Sequence, residues 1–231
     1  MIICVSDVHL GYTGREDIFY QFLDEVVAEL NPWDYFIMCG DIIEFWRRRN
    51  IDVLREANTL FEKLSKLKCR IVYIYGNHDV MMRELRAGRA DVWSDFMIDK
   101  YHFTHGHVVE ALLMELSPSE YEAIAMDLCK MEDVLGALAN AMYTLATKVK
   151  ETIEEILEPA ERRPKLTEVD RLAREPAVKA MLGADVNEWL IFGHTHRAYV
   201  DENSKTANCG NWIEDSTYIT IEDGKVHLKR F

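Results

Sequence analysis

Three short apolar runs constrain the fold of this chain more than any other feature of its sequence. They are rich in β-branched and aromatic residues, which is typical of buried strands. The runs cover residues 2–6, 35–39 and 70–75. Between them, apolar residues recur every three or four positions over 19–30 and 54–67, which predicts two amphipathic helices. The resulting order, β-α-β-α-β, predicts parallel strands joined by right-handed crossovers.

Each of these runs ends in polar residues or glycine. The terminating pairs are Ser6-Asp7, Gly40-Asp41 and Gly76-Asn77. In an open parallel sheet, ligands gather in the crevice beyond the carboxyl ends of the strands. We therefore expect the polar residues of all three pairs to line one candidate site.

The second half of the chain begins with a long helical segment. Apolar positions keep a helical period over residues 117–159, and residues 165–182 are again typical of a helix. Further strands are expected at Trp189–Phe192, Tyr218–Ile221 and Val226–Leu228, with a hairpin turn at Asp223-Gly224. We therefore expect one domain over residues 1–231, an α/β frame that carries a helical insertion at about 113–185.

Five motifs with metal-binding side chains follow the predicted strands or strand-like runs, and they contain six of the eight histidines. Each motif alone is weak evidence, since Asp-x-His or Gly-Asp after a strand is more often a turn or a surface histidine, but the joint occurrence of all five in this order predicts a metal site. Imidazole and carboxylate ligands suit borderline divalent ions. On extended backbone, residues two positions apart project to the same side. The motifs are Asp7-x-His9, Gly40-Asp41, Gly76-Asn77-His78-Asp79, His105-Gly106-His107 and Gly193-His194-Thr195-His196.

In this order the motifs resemble those of the calcineurin-like metallophosphoesterase superfamily. The resemblance covers the frame at both ends of the chain but not the helical insertion. It implies an α/β (α+β) fold, a four-layer α/β/β/α sandwich of two sheets with helices outside. It also implies seven metal ligands, with Asp41 bridging two ions. The first ion would bind Asp7, His9 and His196, and the second would bind Asn77, His105 and His194.

The same resemblance implies roles for the remaining motif residues. His78 would lie over the substrate phosphate as an electrophile or general acid, and Asp79 would orient it. The role of His107 stays open. It either supports the metal ligands from outside or points away from them on the same strand.

A narrower resemblance links the chain to the UDP-2,3-diacylglucosamine pyrophosphohydrolase branch, which also carries a helical cap near this point. It rests on Gly40-Asp41-Ile-Ile-Glu44-Phe-Trp46, His105-Gly106, Gly193-His-Thr-His-Arg197 and Cys209-Gly-Asn-Trp212 with Ser216-Thr-Tyr218. The chain departs from that branch at His78, where Arg is typical, and at His107, where Asp is typical. The resemblance therefore implies the type of bond that is cleaved rather than the substrate.

Arginines follow two of the motif loops and predict an anionic substrate. Arg47 lies beyond the Gly-Asp loop and Arg83 beyond the Gly-Asn-His-Asp loop, while Arg197 follows the candidate ligand His196 directly. Guanidinium groups bind phosphate through paired hydrogen bonds. Solvated surface charges are the alternative interpretation for each of them, and Arg197 is the strongest candidate for a phosphate contact.

The composition of the chain limits the kind of molecule that its surface can bind and indicates its cellular compartment. The formal net charge of −13 disfavours a surface built to bind a nucleic-acid backbone. The insertion is acidic as well, with 15 Asp and Glu against 9 Lys and Arg over residues 110–182. No apolar stretch is long enough for a signal peptide or a transmembrane helix. The five cysteines form no Cys-x-x-Cys pair and are expected to be buried thiols of a cytoplasmic protein.

These observations predict a hydrolase of phosphodiester or pyrophosphate bonds that depends on two divalent metal ions. Manganese is the first expectation, with iron, zinc, nickel and magnesium as alternatives, and a hydroxide that bridges the ions would attack in line. The expected substrate is a nucleotide-linked or lipid-linked small molecule, which the insertion would cap unless it forms a homodimer seam. The alternatives are a DNA or RNA nuclease of the same fold and, from another class, a non-catalytic scaffold that binds a partner protein.

Overall fold

The computed structural model describes residues 1–12, 14, 16–47, 49–85, 90–130 and 162–231, without the side chains of 162–165. The helices with described ends are α1 Glu16–Glu25, α2 Asn50–Lys66, α3 His107–Leu113, α5 Arg162–Ala173 and α6 Pro176–Met181. The helix α4 lies between α3 and α5, and its described residues are 118–130. Short 3-10 turns cover Val27–Glu29 and Val80–Arg83. The strands are β1 Ile2–Val5, β2 Tyr35–Cys39, β3 Arg70–Ile74, β4 Asp91–Trp93, β5 Asp95–Ile98, β6 Tyr101–Thr104, β7 Trp189–Phe192, β8 Tyr199–Asp201, β9 Thr206–Asn208, β10 Thr217–Glu222 and β11 Lys225–Arg230.

These strands form two mixed sheets. The first has the order β11-β10-β1-β2-β3-β4, in which β1 to β4 are parallel, β10 is antiparallel to β1, and β11 is antiparallel to β10. The second has the order β5-β6-β7-β9-β8, in which β6, β7 and β9 are parallel. The carboxyl ends of the parallel strands in each sheet therefore lie side by side.

Side chains alternate between the two faces of each strand, and this alternation explains how the two sheets pack. Ile2 and Cys4 of β1 belong to the apolar cluster between the sheets, whereas Ile3 and Val5 face the cluster that contains Phe22 of α1 and Leu60 of α2. Because successive side chains point to opposite faces, a strand covered on both faces must be apolar throughout. This accounts for the uninterrupted apolar runs in the sequence.

The second sheet is covered on its outer face by the later helices. Leu190 and Phe192 of β7 pack against Ala173 of α5 and Leu182, which follows α6. Trp189 and Ile191 of the same strand face the other sheet instead. The molecule is thus a four-layer α/β/β/α sandwich, which confirms the predicted fold class. It also means that α5 and α6, although they lie inside the predicted insertion, form part of the outer layer.

The predicted strands and helices agree with the structure where the apolar pattern is strong. Short strands were not predicted individually, and these are β4, β5, β6, β8 and β9. The strands β4 and β5 are partly exposed and lie at sheet edges, so they lack the continuous apolar run of a buried strand. The long helix predicted over 117–159 is observed from 118 to 130, and its continuation lies outside the described residues. The domain boundaries stay a prediction.

Two expectations from composition can be compared with the structure. All five cysteines are free and buried, as the sequence predicts. Within the part of the chain that the structure describes, no helix combines the length and the apolar character that crossing a membrane requires.

Candidate metal centre

The candidate ligands lie on loops that leave the carboxyl ends of five strands, where the two sheets meet. The loop after β1 is tied to the loop after β2, because Asp7 N donates to Gly40 O at 3.0 Å and His9 N donates to Asp41 O at 2.9 Å. The loop after β7 is tied to the first sheet, because His194 N donates to Asp7 Oδ2 at 2.9 Å. Backbone hydrogen bonds thus join loops that are far apart in sequence into one site.

The backbone of this site is not extended, contrary to our expectation for the Asp-x-His and His-x-His spacing. Five of the seven candidate ligands have a positive φ, between 50° and 73°: Asp7, His9, Asp41, His194 and His196. A left-handed conformation costs a non-glycine residue about 1–2 kcal/mol. Such strain persists where the surrounding structure imposes it, and it concentrates at functional sites. The shared direction of these side chains therefore results from loop geometry and not from strand pleating.

The structure brings Asp7, His9 and His196 together as a first group of candidate ligands, the same three residues that the sequence resemblance assigns to one ion. Nε2 of His196 lies 3.2 Å from Asp7 Oδ1 and 3.4 Å from Nε2 of His9. Metal–ligand bonds of about 2.0–2.2 Å would place neighbouring ligand atoms about 3 Å apart. The spacing of these three side chains therefore fits a common ion.

The second group contains Asp41, His105 and His194. Nε2 of His105 lies 3.2 Å from Asp41 Oδ2, and the same oxygen lies 4.0 Å from Nε2 of His9 in the first group. Asn77 is buried, and its Oδ1 has no hydrogen-bond partner among the described residues. Asp41 is thus the carboxylate common to both sides of the site.

Hydrogen bonds determine which nitrogen each histidine turns toward the site. Nδ1 of His9 lies 2.9 Å from Glu44 Oε2, and Nδ1 of His105 lies 3.0 Å from the carbonyl of Cys39. A carboxylate or a carbonyl only accepts, so both Nδ1 atoms carry a proton, and in the neutral ring that metal binding requires the lone pair is on Nε2. His194 is the reverse case, because its Nε2 lies 2.9 Å from Glu110 Oε2 and its lone pair is therefore on Nδ1.

The buried polar atoms of this site that lack a hydrogen-bond partner are suited to bind a cation. Among the described residues, Asp7 Oδ1 and His105 Nε2 are buried without a hydrogen-bond partner. Burial lowers the pKa of His105, but the neighbouring Asp41 carboxylate outweighs this effect and raises the pKa to about 10. The electrostatic field of the site thus strongly favours positive charge beside Asp41. Two buried carboxylates that face lone pairs of several imidazoles are the donor set of a divalent metal.

Gly76→Ala is expected to disrupt the centre, because a Cβ on Gly76 would lie 2.2 Å from Asp41 Oδ1 and 2.7 Å from His105 Cδ2. We expect destabilisation of about 1–3 kcal/mol from overpacking, together with weaker binding of Mn²⁺ measured by titration calorimetry. Gly14→Ala is the control, since a Cβ there meets no atom within 4 Å and bears only the cost of its positive φ. Unchanged metal affinity in Gly76→Ala would contradict the placement of Asp41.

His78 is held by a residue that the sequence analysis did not assign to it. Nδ1 of His78 lies 2.8 Å from Glu44 Oε1, and its ring stacks on Trp46 with centroids 4.0 Å apart. Burial lowers the pKa of His78, but Glu44 and Asp41 outweigh it and raise the pKa above its usual value. Because the carboxylate of Glu44 also accepts from His9, one buried side chain orients both histidines. A carboxylate inside the apolar run Ile42-Ile43-x-Phe45-Trp46 was the available sequence signal.

The prediction that Asp79 orients His78 is corrected by these contacts. Asp79 is fully buried and accepts hydrogen bonds from the backbone of Ile42 at 2.8 Å and of Gly76 at 2.6 Å, and from the Tyr73 hydroxyl at 2.5 Å. It therefore shapes the loop that carries Asp41. The backbone N–H of His78 donates to Asp41 Oδ1 at 2.9 Å, so the two loops hold each other in place.

Glu44→Gln is expected to lower kcat by about 10–100-fold, the usual effect of removing a group that orients a ligand. Both carboxylate oxygens of Glu44 accept hydrogen bonds from ring or backbone N–H groups, and an amide offers only one acceptor. Steady-state kinetics and Mn²⁺ affinity should both change, while circular dichroism should stay that of the wild type. Glu16→Gln is the matched control, because the amide oxygen can still accept the hydrogen bond from Gly11 N. Wild-type kinetics in Glu44→Gln would refute this role.

The remaining predicted residues lie at different distances from the centre. His107 is buried as the first residue of α3 rather than on the strand, and its ring centroid lies 5.4 Å from that of His105. Arg47 and Arg197 line a cleft of about 720 Å³ beside His196. Arg83 is not among the residues that line this cleft, and it pairs with Glu122 of α4 at 3.2 Å.

The chain is similar to known proteins along most of its length. Residues 1–198 match the family described as calcineurin-like phosphoesterase. A UDP-2,3-diacylglucosamine hydrolase of Shewanella sp. strain W3-18-1 is 24% identical over 242 residues, covering 97% of this chain and 94% of the relative. A protein of the same name from Shewanella halifaxensis is 23% identical, covering 97% of this chain and 95% of the relative. The cold-active protein-tyrosine phosphatase of a psychrophilic Shewanella species has 12% identity and a TM-score of 0.48, over 99% of this chain and 79% of that one.

The family match spans most of the chain, and it includes all five motifs that carry the candidate ligands. Both resemblances stated from the sequence are confirmed by the family and by the names of the curated relatives. The chain therefore belongs to the calcineurin-like phosphoesterase family and is a metal-dependent phosphoesterase.

Proposed function

We propose that this phosphoesterase uses two divalent metal ions to hydrolyse a phosphodiester or pyrophosphate bond in a nucleotide-linked or lipid-linked small molecule. The position of Asp41 carries the proposal. Its Oδ2 lies 3.2 Å from His105 Nε2 and 4.0 Å from His9 Nε2, so one oxygen is shared by the two ligand groups. Its Oδ1 is held by the backbone of His78, which leaves Oδ2 for the ions.

The ions and the surrounding residues would have different roles in the reaction. Two ions would stabilise the charge on the phosphoryl oxygens and supply a nucleophilic oxygen near neutral pH. Glu44 keeps a proton on His78 Nδ1 and orients the ring toward the centre. His78 in its protonated form would donate the Nε2 proton to the leaving oxygen. Arg47 and Arg197 would bind further phosphate oxygens of the substrate from the adjacent cleft.

Manganese is the first ion to test, because imidazole, carboxylate and amide ligands together accommodate it. Iron, zinc, nickel and magnesium are the alternatives. The metal content of the protein, measured by elemental analysis after purification without chelators, should approach two ions per chain. A protein that binds one ion or none after exposure to each metal would overturn the proposal.

The names of the curated relatives support a UDP-linked acylated sugar as the first substrate to test. The cleft beside His196 is lined by apolar as well as basic residues, among them Leu166 and Ile213, which suits an amphipathic molecule. A panel with Mn²⁺ should compare a monoester, a diester, UDP-sugars, CDP-lipids and single-stranded DNA. We expect the highest kcat/KM for a pyrophosphate-linked substrate, and preferred hydrolysis of DNA would indicate the nuclease alternative.

The helical insertion is proposed to cap the bound substrate. Its central part, residues 131–161, lies outside the described residues, so the proposal rests on where α4 and α5 connect to the frame. Leu166 and Thr167 of α5 line the cleft beside His196, which brings one end of the insertion to the site. The homodimer seam stays the alternative, and sedimentation analysis of the protein distinguishes the two.

A further inference from the structure

A hydrogen-bonded chain connects the second ligand group to the first described helix of the insertion. His194 Nε2 lies 2.9 Å from Glu110 Oε2 of α3, and the Tyr121 hydroxyl of α4 donates to the same oxygen at 2.6 Å. Glu110 lies five residues after His105 and is 84 residues away from His194 in sequence. Neither Glu110 nor Tyr121 belongs to the five motifs.

The contact with Glu110 determines the tautomer of His194. An ionised carboxylate only accepts hydrogen bonds, so the proton of the ring must be on Nε2. The Tyr121 hydroxyl donates to the same oxygen of Glu110, so this oxygen is the acceptor in both contacts. Nδ1 of His194 is therefore the nitrogen left to bind a metal.

The helix α4 is also anchored to the loops of the second group by other residues. Glu122, next to Tyr121, lies 3.2 Å from Arg83 and accepts from the Tyr75 hydroxyl at 3.4 Å. Ala125, Met126 and Cys129 of the same helix are buried in the main apolar cluster. The position of Tyr121 is thus set by the packing of α4 and not by its one hydrogen bond.

We propose that Glu110 is a positioning residue for the second metal, held by Tyr121, and that docking of α4 and binding of the second metal stabilise each other. The proposal rests on the two-metal function proposed above. His194 belongs to the second ligand group only, so the coupling acts on one of the two ions. Binding equilibria that share an ordered element are coupled reciprocally. The insertion would therefore affect the metal centre directly, in addition to any contact with substrate.

Titration calorimetry with Mn²⁺ on the full chain tests this proposal. Glu110→Ala should weaken the second binding event about 10–100-fold, as loss of a carboxylate partner of a metal-binding histidine does, and leave the first event unchanged. Glu110→Gln keeps one acceptor oxygen and should fall between Glu110→Ala and the wild type. Tyr121→Phe removes one hydroxyl, keeps the packed ring, and should weaken the same event by several-fold. Glu120→Gln is the control, because Glu120 caps α4 through Ser117 at the exposed end of the helix.

Amide hydrogen exchange measures the opposite effect, that of metal binding on the stability of α4. Mn²⁺ should slow amide exchange over residues 118–130 in the wild type and in Glu120→Gln, and this protection should be reduced in Glu110→Ala. Equal losses at both metal positions, or none, in Glu110→Ala and Tyr121→Phe would overturn the proposal. A wild-type protein that binds a single ion would instead count against the two-metal function, so the two failures are distinguishable.

Discussion

Asp41→Asn is expected to lower kcat by at least about 10³-fold, a loss of about 4 kcal/mol of transition-state stabilisation. Both carboxylate oxygens of Asp41 act as acceptors. Oδ1 accepts the backbone N–H of His78, and Oδ2 faces Nε2 of His105 and of His9. An asparagine must turn its NH₂ group toward one of these positions. If the amide oxygen stays on His78 N, a hydrogen-bond donor replaces the shared metal ligand.

The same substitution should leave the metal-free protein folded. Without the charge of Asp41 the His105 ring is expected to be neutral, and the NH₂ group of the new amide can then donate to its Nε2, which replaces part of the lost attraction. Burial and the charge of Asp41 together raise the pKa of Asp79, so removing that charge also relieves a repulsion. Thermal unfolding without metal should therefore stay near that of the wild type, whereas the increase in Tm caused by Mn²⁺ should disappear.

A second buried aspartate provides the control for Asp41→Asn. Asp34 is equally buried but lies at the other end of the sheet, where it binds the N-terminal ammonium group at 2.6 Å and the backbone of Asn31 at 2.8 Å. Asp34→Asn should lower the Tm and leave kcat and metal content intact. Wild-type turnover or two bound ions in Asp41→Asn would refute the role of Asp41 as the shared ligand.

His78→Ala is expected to lower kcat by about 10²–10⁴-fold for substrates with a poor leaving group, the usual contribution of a positioned proton donor. The structure holds His78 between Glu44 and Trp46, with Nδ1 committed to Glu44. Its raised pKa favours the protonated form, in which Nε2 carries a proton that can be transferred. A leaving group such as nitrophenolate departs without a proton, so its hydrolysis should fall far less.

The comparison of leaving groups separates two roles of His78. If His78→Ala lowers kcat equally for an alkyl and a nitrophenyl diester, His78 stabilises charge on the phosphoryl oxygens and is not a proton donor. His227→Ala serves as the control, because His227 lies exposed on β11, away from the ligand loops. Metal content must be measured in parallel, since Glu44 also holds the ligand His9 and could transmit a change at His78.

The motifs that carry the candidate ligands and the α/β frame follow from local sequence. A buried strand must be apolar on both faces, so a polar residue directly after such a run marks the strand end. Asp7, Asp41 and Asn77 stand at these positions on β1, β2 and β3, and the structure brings the first two into the predicted groups with histidines from the second sheet. Short edge strands such as β4 carry too few apolar residues to produce a comparable pattern.

Only the tertiary structure decided how the ligands are oriented and which residues hold them. Glu44 rather than Asp79 binds His78, and Glu110 binds His194 from another part of the chain. The hydrophobic periodicity of the sequence indicates burial and secondary structure, but it does not show which side chains of different loops come into contact. The left-handed backbone at Asp7 and His196 has the same origin. Hydrogen bonds between distant loops impose this conformation against the local preference of both residues, so only the assembled fold determines the direction in which their side chains point.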